Sequence, residues 1–299
     1  MTTYQQLETG IVACQIELTN TCPLTCAECA YVHQTRPKGH MAFDLFQLVV
    51  DGCLEAFGPI SFNLNGLGEP LSYPHLAKAI RYLGSHNPTG RIELFTSLAT
   101  SIERAEEVAD ALLSVPNNVL LASTIHSYGV DGEIMKQAHK AGPVLSLFRE
   151  KFSDVSRIDF HVAMNRTTFT TDEQVDGFKN GFLPMFGEEK THVVEKLDRW
   201  LGYVDGMAGP GGYSDVTSPG VCDYPFKVLH VAWNGDVLIC CTDDVNGELK
   251  LGTITEKSDI LRLWNSGPYQ EIRARHNALD VKGLAPCDRC GRTVGYVNR

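Results

Sequence analysis

Apolar and polar positions run along the first two thirds of the chain in two alternating rhythms. Residues 11–18 form a β-branched run that predicts a first strand. Residues 41–57 keep Leu45, Leu48, Val49, Leu54 and Phe57 at helical spacing until Gly58-Pro59 ends the pattern. A strand over 60–64, a helix over 75–86 and a strand over 92–96 come next, then a helix over 102–113 and a strand over 119–125. The series continues with a helix over 132–141, a strand over 158–164, and a helix opening near Glu173 with Thr171 or Asp172 as its cap. Strand and helix recur about every 30 residues, the signature of βαβ units building a parallel sheet. Gly206, Gly209, Pro210, Gly211, Gly212, Pro219 and Gly220 then interrupt all periodicity and predict a linker or lid. Beyond it, two short apolar runs at 228–233 and 237–240 flank Asn234-Gly235, a dipeptide suited to a tight hairpin turn.

Composition narrows the class without choosing a function. The 299 residues are 43% hydrophobic and 21% charged, ordinary values for a globular protein. No run approaches the roughly 20 apolar residues that span a bilayer, and the first residues lack a signal-peptide layout, so no membrane partner and a cytoplasmic location are expected. A net charge of −10 argues against nucleic acid as a general partner and leans toward a cationic substrate. Ten cysteines in such a chain point to metal ligation rather than a disulfide framework. Cys14 and Cys53 stand apart in apolar segments and read as buried core residues.

The other cysteines fall in two groups. Cys22, Cys26 and Cys29 come directly after the first predicted strand. Three thiolates leave a four-coordinate centre one ligand short, so a bound molecule or a distant residue completes it. On the residues alone, a zinc site and three unrelated thiols stay open. Gly66, Gly68, Glu69 and Pro70 form the turn after the second strand, where glycines admit close backbone approach and Glu69 or a carbonyl can accept from an ammonium. Late in the chain, Cys222, Cys240, Cys287 and Cys290 supply four thiolates, enough for a fully ligated 4Fe–4S cluster or a zinc ribbon. Cys241 cannot easily ligate beside Cys240, because adjacent strand residues face opposite ways.

The C-x3-C-x2-C loop after a first strand resembles that of the radical S-adenosylmethionine (radical SAM) superfamily. The resemblance implies an α/β fold, a partial (β/α)6 barrel with its chemistry at the C-terminal strand ends. It implies that Cys22, Cys26 and Cys29 hold a 4Fe–4S cluster whose fourth iron binds SAM. By the same resemblance Gly66, Gly68, Glu69 and Pro70 correspond to the motif that receives the SAM amino group. Ser123 becomes a candidate for the ribose or carboxylate, and Thr96 and Ser97 for further polar contacts. Many family members carry an aromatic residue before the last cysteine; Glu28 stands there, and Tyr31 is the candidate adenine contact. The late cysteines, with Trp233-Asn234-Gly235-Asp236 and Leu263-Trp264-Asn265-Ser266, resemble the SPASM and shorter twitch auxiliary-cluster domains. No cysteine after Cys290 is available for a second auxiliary cluster, so the twitch type with one auxiliary cluster is the better match. The spacing is especially similar to that of the butirosin-pathway dehydrogenase, and the neomycin-pathway epimerase shares the architecture. The division implied is a barrel over 1–205 and an auxiliary 4Fe–4S domain over 206–299.

The function implied is that of an enzyme that cleaves SAM reductively and abstracts hydrogen from a natural product, with an aminoglycoside or amino sugar favoured, ending in oxidation or epimerisation. Cys241 is either a core thiol or the hydrogen donor of an epimerase, and Asp243 a solvated hairpin end, a proton acceptor or a substrate contact. Flavodoxin or ferredoxin is the expected reductant. Peptide maturases of this architecture often carry a leader-recognition domain, and the 21 residues before Cys22 leave no room for one. A maturase acting on a ribosomal peptide is the competing enzyme reading, and a non-catalytic iron–sulfur electron carrier the alternative of another class.

Overall fold

The computed structural model describes residues 10–25, 29–126, 133–165, 171–194, 222–240 and 244–288. Six strands, β1 (Ala13–Ile16), β2 (Ser61–Asn63), β3 (Ile92–Thr96), β4 (Val119–His126), β5 (Ile158–Asn165) and β6 (Thr191–Val194), lie side by side in chain order and all parallel. Between them run α1 (Phe43–Phe57), α2 (Leu76–His86), α3 (Ile102–Ser114), α4 (Glu133–Phe152) and α5 (Asp172–Phe186). The far edge of β1 is taken by β7 (Val228–Val231), again parallel, and β8 (Asp236–Leu238) and β9 (Lys250–Thr253) add antiparallel to it. Three helices finish the described chain: α6 (Tyr224–Lys227), α7 (Ser258–Trp264) and α8 (Gly267–Asn277). The nine strands form one sheet with β6 and β9 at its edges.

Strand alternation sorts the residues between two faces. In β3, Ile92, Leu94 and Thr96 are buried while Glu93 is half-buried and Phe95 is exposed at 40%. The buried row joins a continuous core with Val49 and Val50 of α1, Leu76 and Ile80 of α2, and Val108 and Leu112 of α3. The opposite row is polar. Register places Gln15 beside Asn63, Asn63 beside Glu93, and Gln15 beside His230. That polar face is the inside of the open barrel.

Most predicted elements are present within two or three residues of the expected ends. The helix expected to stop at residue 141 instead continues as α4 to Phe152, through Pro143. Val144, Leu145, Phe148 and Phe152 are buried in the core, and that burial outweighs the hydrogen bond a proline removes. The pattern had also given no strand at β6, which contributes only four residues at the sheet edge. The hairpin forms as expected, with Gly235 at φ 86° in the turn. The predicted linker at 202–220 and the domain boundary at 205/206 lie outside the described residues. Among the described residues no helix is long and apolar enough to cross a membrane.

Candidate functional site

The cysteine loop leaves the C-terminal end of β1 and is pinned at its neck. Asn20, fully buried, donates through Nδ2 to the Gln34 side chain at 2.8 Å and the Pro37 carbonyl at 2.9 Å, and its Oδ1 accepts from Gly39 N–H at 2.8 Å. Thr19 donates to the Gly39 carbonyl at 3.0 Å and bridges to His40. The loop is thereby closed across its base, with Cys22 and Cys29 half-buried inside it. Cys29 caps the short turn Ala30–His33, its Sγ accepting from Tyr31 N–H at 3.5 Å. Cys26 lies outside the described residues. Tyr31 is buried; Lys38 donates to its hydroxyl at 2.9 Å and sits 4.2 Å from the ring centroid, so a cation already covers one ring face.

The turn after β2 docks directly on this loop. A β-carbon at Gly68 would collide with the Thr19 carbonyl, and one at Gly66 with the Glu17 side chain, so only glycine permits the approach. Glu69 N–H donates to the Thr21 carbonyl at 3.0 Å. The Glu69 carboxylate turns the other way: it accepts from the Thr96 hydroxyl, from the Ser97 hydroxyl and N–H (2.7 Å to the amide) and from Leu71 N–H at 3.1 Å. These donors favour the ionised form, but full burial outweighs them and raises the pKa. Glu69 therefore ties the β2 turn to the end of β3, and its acceptor sites are filled by protein. Ser123 pairs in register with Thr96 and is fully buried on the Leu121 face of β4; its hydroxyl has no hydrogen-bond partner among the described residues.

A second link joins this end of the barrel to the C-terminal segment. Glu17, just past β1, meets Arg36 in a bidentate pair at 2.8 and 3.0 Å. The same carboxylate accepts from Leu67 N–H and from Trp233 N–H, both at 3.3 Å. Arg36 Nε donates to the Val245 carbonyl at 2.8 Å, and Thr35 donates to Asn246 through its N–H and hydroxyl. Ala30, Leu67 and Val245 make a small apolar cluster beside them. Cysteine loop, β2 turn and C-terminal segment thus meet at one buried carboxylate. Beside it a small cavity is lined by Gln15, Glu17, Arg36, Asn65 and His230. Neither ring nitrogen of His230 has a hydrogen-bond partner among the described residues, and burial pulls its pKa down to about 3.

Of the late cysteines, Cys222 is half-buried before α6, Cys240 is buried beyond β8, and Cys287 is buried beyond α8. Cys290 and the candidates Cys241 and Asp243 lie outside the described residues. Among the described residues no three His, Cys, Asp or Glu side chains gather at metal-binding range. The donor chemistry nevertheless fits iron–sulfur ligation: thiols on separate segments, with Cys240 and Cys287 buried and Cys22, Cys29 and Cys222 half-buried. Sequence reasoning singled out neither Glu17, Arg36, Phe95 nor His230. The one available signal was polarity at alternate positions, Gln15 in β1 and Glu17 just past it, along a segment whose other face is apolar.

Comparison with known proteins places these features. The family described as SPASM, an iron–sulfur cluster-binding domain, matches residues 222–291. BtrN in complex with AdoMet and 2-DOIA is similar in structure at a TM-score of 0.60 and 15% identity, covering 95% of this chain and 93% of BtrN. Streptococcus suis SuiB bound to the precursor peptide SuiA aligns at 0.55 and 13% identity, over 95% of this chain and 70% of SuiB. SuiB bound to S-adenosylmethionine aligns at 0.55 and 14% identity, over 89% and 68%. No curated protein sequence matches the chain. The fold, an open and mostly parallel sheet, is the one shared with these radical SAM enzymes, and the C-terminal residues 222–291 are the part similar to the SPASM family.

Proposed function

We propose that this chain is a radical SAM enzyme acting on a small polar natural product, with an aminoglycoside or amino sugar as the favoured substrate. The observation that carries the reading is the docking of the Gly66–Glu69 turn onto the neck of the cysteine loop, which sets a glycine-rich backbone against the segment that leads into Cys22. When bound and reduced, the cluster and SAM together supply a 5′-deoxyadenosyl radical able to take hydrogen from an unactivated C–H bond. Cys22, Cys26 and Cys29 would hold that cluster, and Cys222, Cys240, Cys287 and Cys290 the auxiliary one. With the Glu69 carboxylate committed to Thr96, Ser97 and Leu71, the turn's backbone carbonyls are the acceptors for a SAM ammonium, and Glu69 positions them. Lys38 restricts Tyr31, which makes exposed Phe95 a second candidate to stack on adenine or substrate. Barrel over 1–205 and auxiliary domain over 206–299 remain our proposed division.

The polar row of Gln15, Asn63 and Glu93 across three strands supports a substrate rich in hydroxyl and amino groups. So does likeness to BtrN over nearly the full length of both chains, BtrN being seen with 2-DOIA. Likeness to SuiB, seen with a precursor peptide, supports the second reading, a peptide maturase. Cys241 as hydrogen donor and Asp243 as proton acceptor would belong to an epimerase; a flavodoxin or ferredoxin would serve as reductant in either case. Incubation of reconstituted protein with aminoglycosides and with candidate peptides, read by mass spectrometry, separates these outcomes. Loss of two hydrogens from a sugar supports oxidation, and deuterium uptake from heavy water without other mass change supports epimerisation. Turnover of peptides alone overturns the small-substrate reading.

A further inference from the structure

Arg273 is a cation built into the interior of the C-terminal segment. It lies on α8 with 2% of its surface exposed. Nε donates to the Pro225 carbonyl and Nη1 to the Trp264 carbonyl, each at 2.7 Å. The guanidinium carbon sits 4.1 Å from the ring centroids of both Trp264 and Tyr269. Nη2 is buried and has no hydrogen-bond partner among the described residues. No carboxylate among them pairs with the group; the one charge-type neighbour acting on it is the Tyr269 phenol. A guanidinium keeps its proton inside proteins. Two carbonyls and two ring faces soften its burial, but a buried charge with no opposite charge beside it is strongly unfavourable.

Its surroundings lead to the late cysteines. Pro225, which accepts from Nε, lies three residues past Cys222, in the short helix α6. Tyr269, which covers a guanidinium face, has the thiols of Cys14 and, acting less strongly, Cys240 near its phenol. Four thiolates around an iron–sulfur core leave the centre anionic overall, and the charge close to such a centre sets its potential.

We propose that Arg273 is the counter-charge of the auxiliary iron–sulfur centre, holding its potential up by stabilising the reduced, more negative state. This rests on the iron–sulfur reading of residues 222–291 and is independent of which substrate the enzyme takes. The test uses the full chain with Cys22, Cys26 and Cys29 each replaced by Ala, so that only the auxiliary cluster gives a signal. Iron is counted, and the cluster is titrated electrochemically with detection by electron paramagnetic resonance. In Arg273→Gln the reduced-to-oxidised ratio at a fixed potential falls at least tenfold, a drop of about 59 mV for one electron. In Arg273→Lys, which keeps the charge, it stays within about threefold, or less than 30 mV. A loaded Gln variant with an unchanged or raised midpoint overturns the proposal, as does a Lys variant that shifts as far as Gln. Should Gln fail to load, Lys decides: loading with a near-parental midpoint supports the charge role, and failure to load or a tenfold drop overturns it. A parent that binds no iron contradicts the iron–sulfur reading itself, which is a different failure.

Discussion

At the scale of single residues, the carboxylate of Glu69 and the ring of Phe95 make opposite predictions. Glu69 satisfies two backbone amides and two hydroxyls in a fully buried pocket. Glu69→Ala leaves those donors without acceptors and is expected to cost about 2–4 kcal/mol in chemical denaturation, with SAM binding weakened alongside. Phe95 lies on the polar face of β3 with 40% of its surface exposed. Phe95→Ala should change stability by less than about 0.5 kcal/mol. It should weaken SAM or substrate binding about tenfold, the worth of one aromatic contact; unchanged affinities for both remove Phe95 from the site. The sequence marked the Gly-Glu-Pro turn as a candidate ligand-binding element and its glycines as points of close approach, but the direction of its carboxylate was not legible. Three of its four donors belong to Thr96 and Ser97, 27 and 28 residues away at the end of another strand, beyond any local pattern.

At the scale of elements, the Glu17–Arg36 pair fastens three loops that share no secondary structure. Arg36→Met leaves the Glu17 carboxylate buried and without its cation, and a loss of about 3–5 kcal/mol is expected by urea denaturation. Replacing both residues by apolar ones of similar size recovers most of that loss, since the cost lies in the orphaned charge. A double variant as unstable as the single one contradicts this account. The strands and helices themselves were readable because burial on one face imposes a period. The reading failed where that rule was overridden, at Pro143 inside α4, and where the element was too short to show a period, at β6. The pairing of Glu17 with Arg36 across 19 residues of loop leaves no periodic trace.

At the scale of the whole molecule, two buried histidines make stability depend on pH. Burial pulls His230 down to about 3 and His276 to about 4, the latter helped by the nearby Arg275 cation, against an ordinary value of 6.5. Below pH 6.5 the unfolded chain takes up protons that the folded chain refuses, so stability falls as pH drops from 6.5 toward 4. Each histidine contributes at most about 1.4 kcal/mol per pH unit in that window. Burial also raises Asp244 to about 6 and raises Glu69, and these carboxyls act the other way below pH 6. The comparison is therefore urea unfolding of the parent and of His230→Gln at pH 7, 6 and 5, with the stability loss toward low pH smaller in the variant. Parallel profiles for the two proteins would contradict the buried, neutral state of the His230 ring.

The central claim is that the cysteine loop at the end of β1 holds a SAM-cleaving cluster and the C-terminal segment holds another. The direct measurement is iron and sulfide content together with 5′-deoxyadenosine release from SAM, on protein reconstituted without oxygen and reduced with dithionite. About eight irons per chain, two four-iron clusters, are expected, with 5′-deoxyadenosine formed. Cys22→Ala should then abolish release and leave about four irons. About four irons in the parent that survive Cys22→Ala, with no 5′-deoxyadenosine, would contradict the account and leave an iron–sulfur carrier in its place.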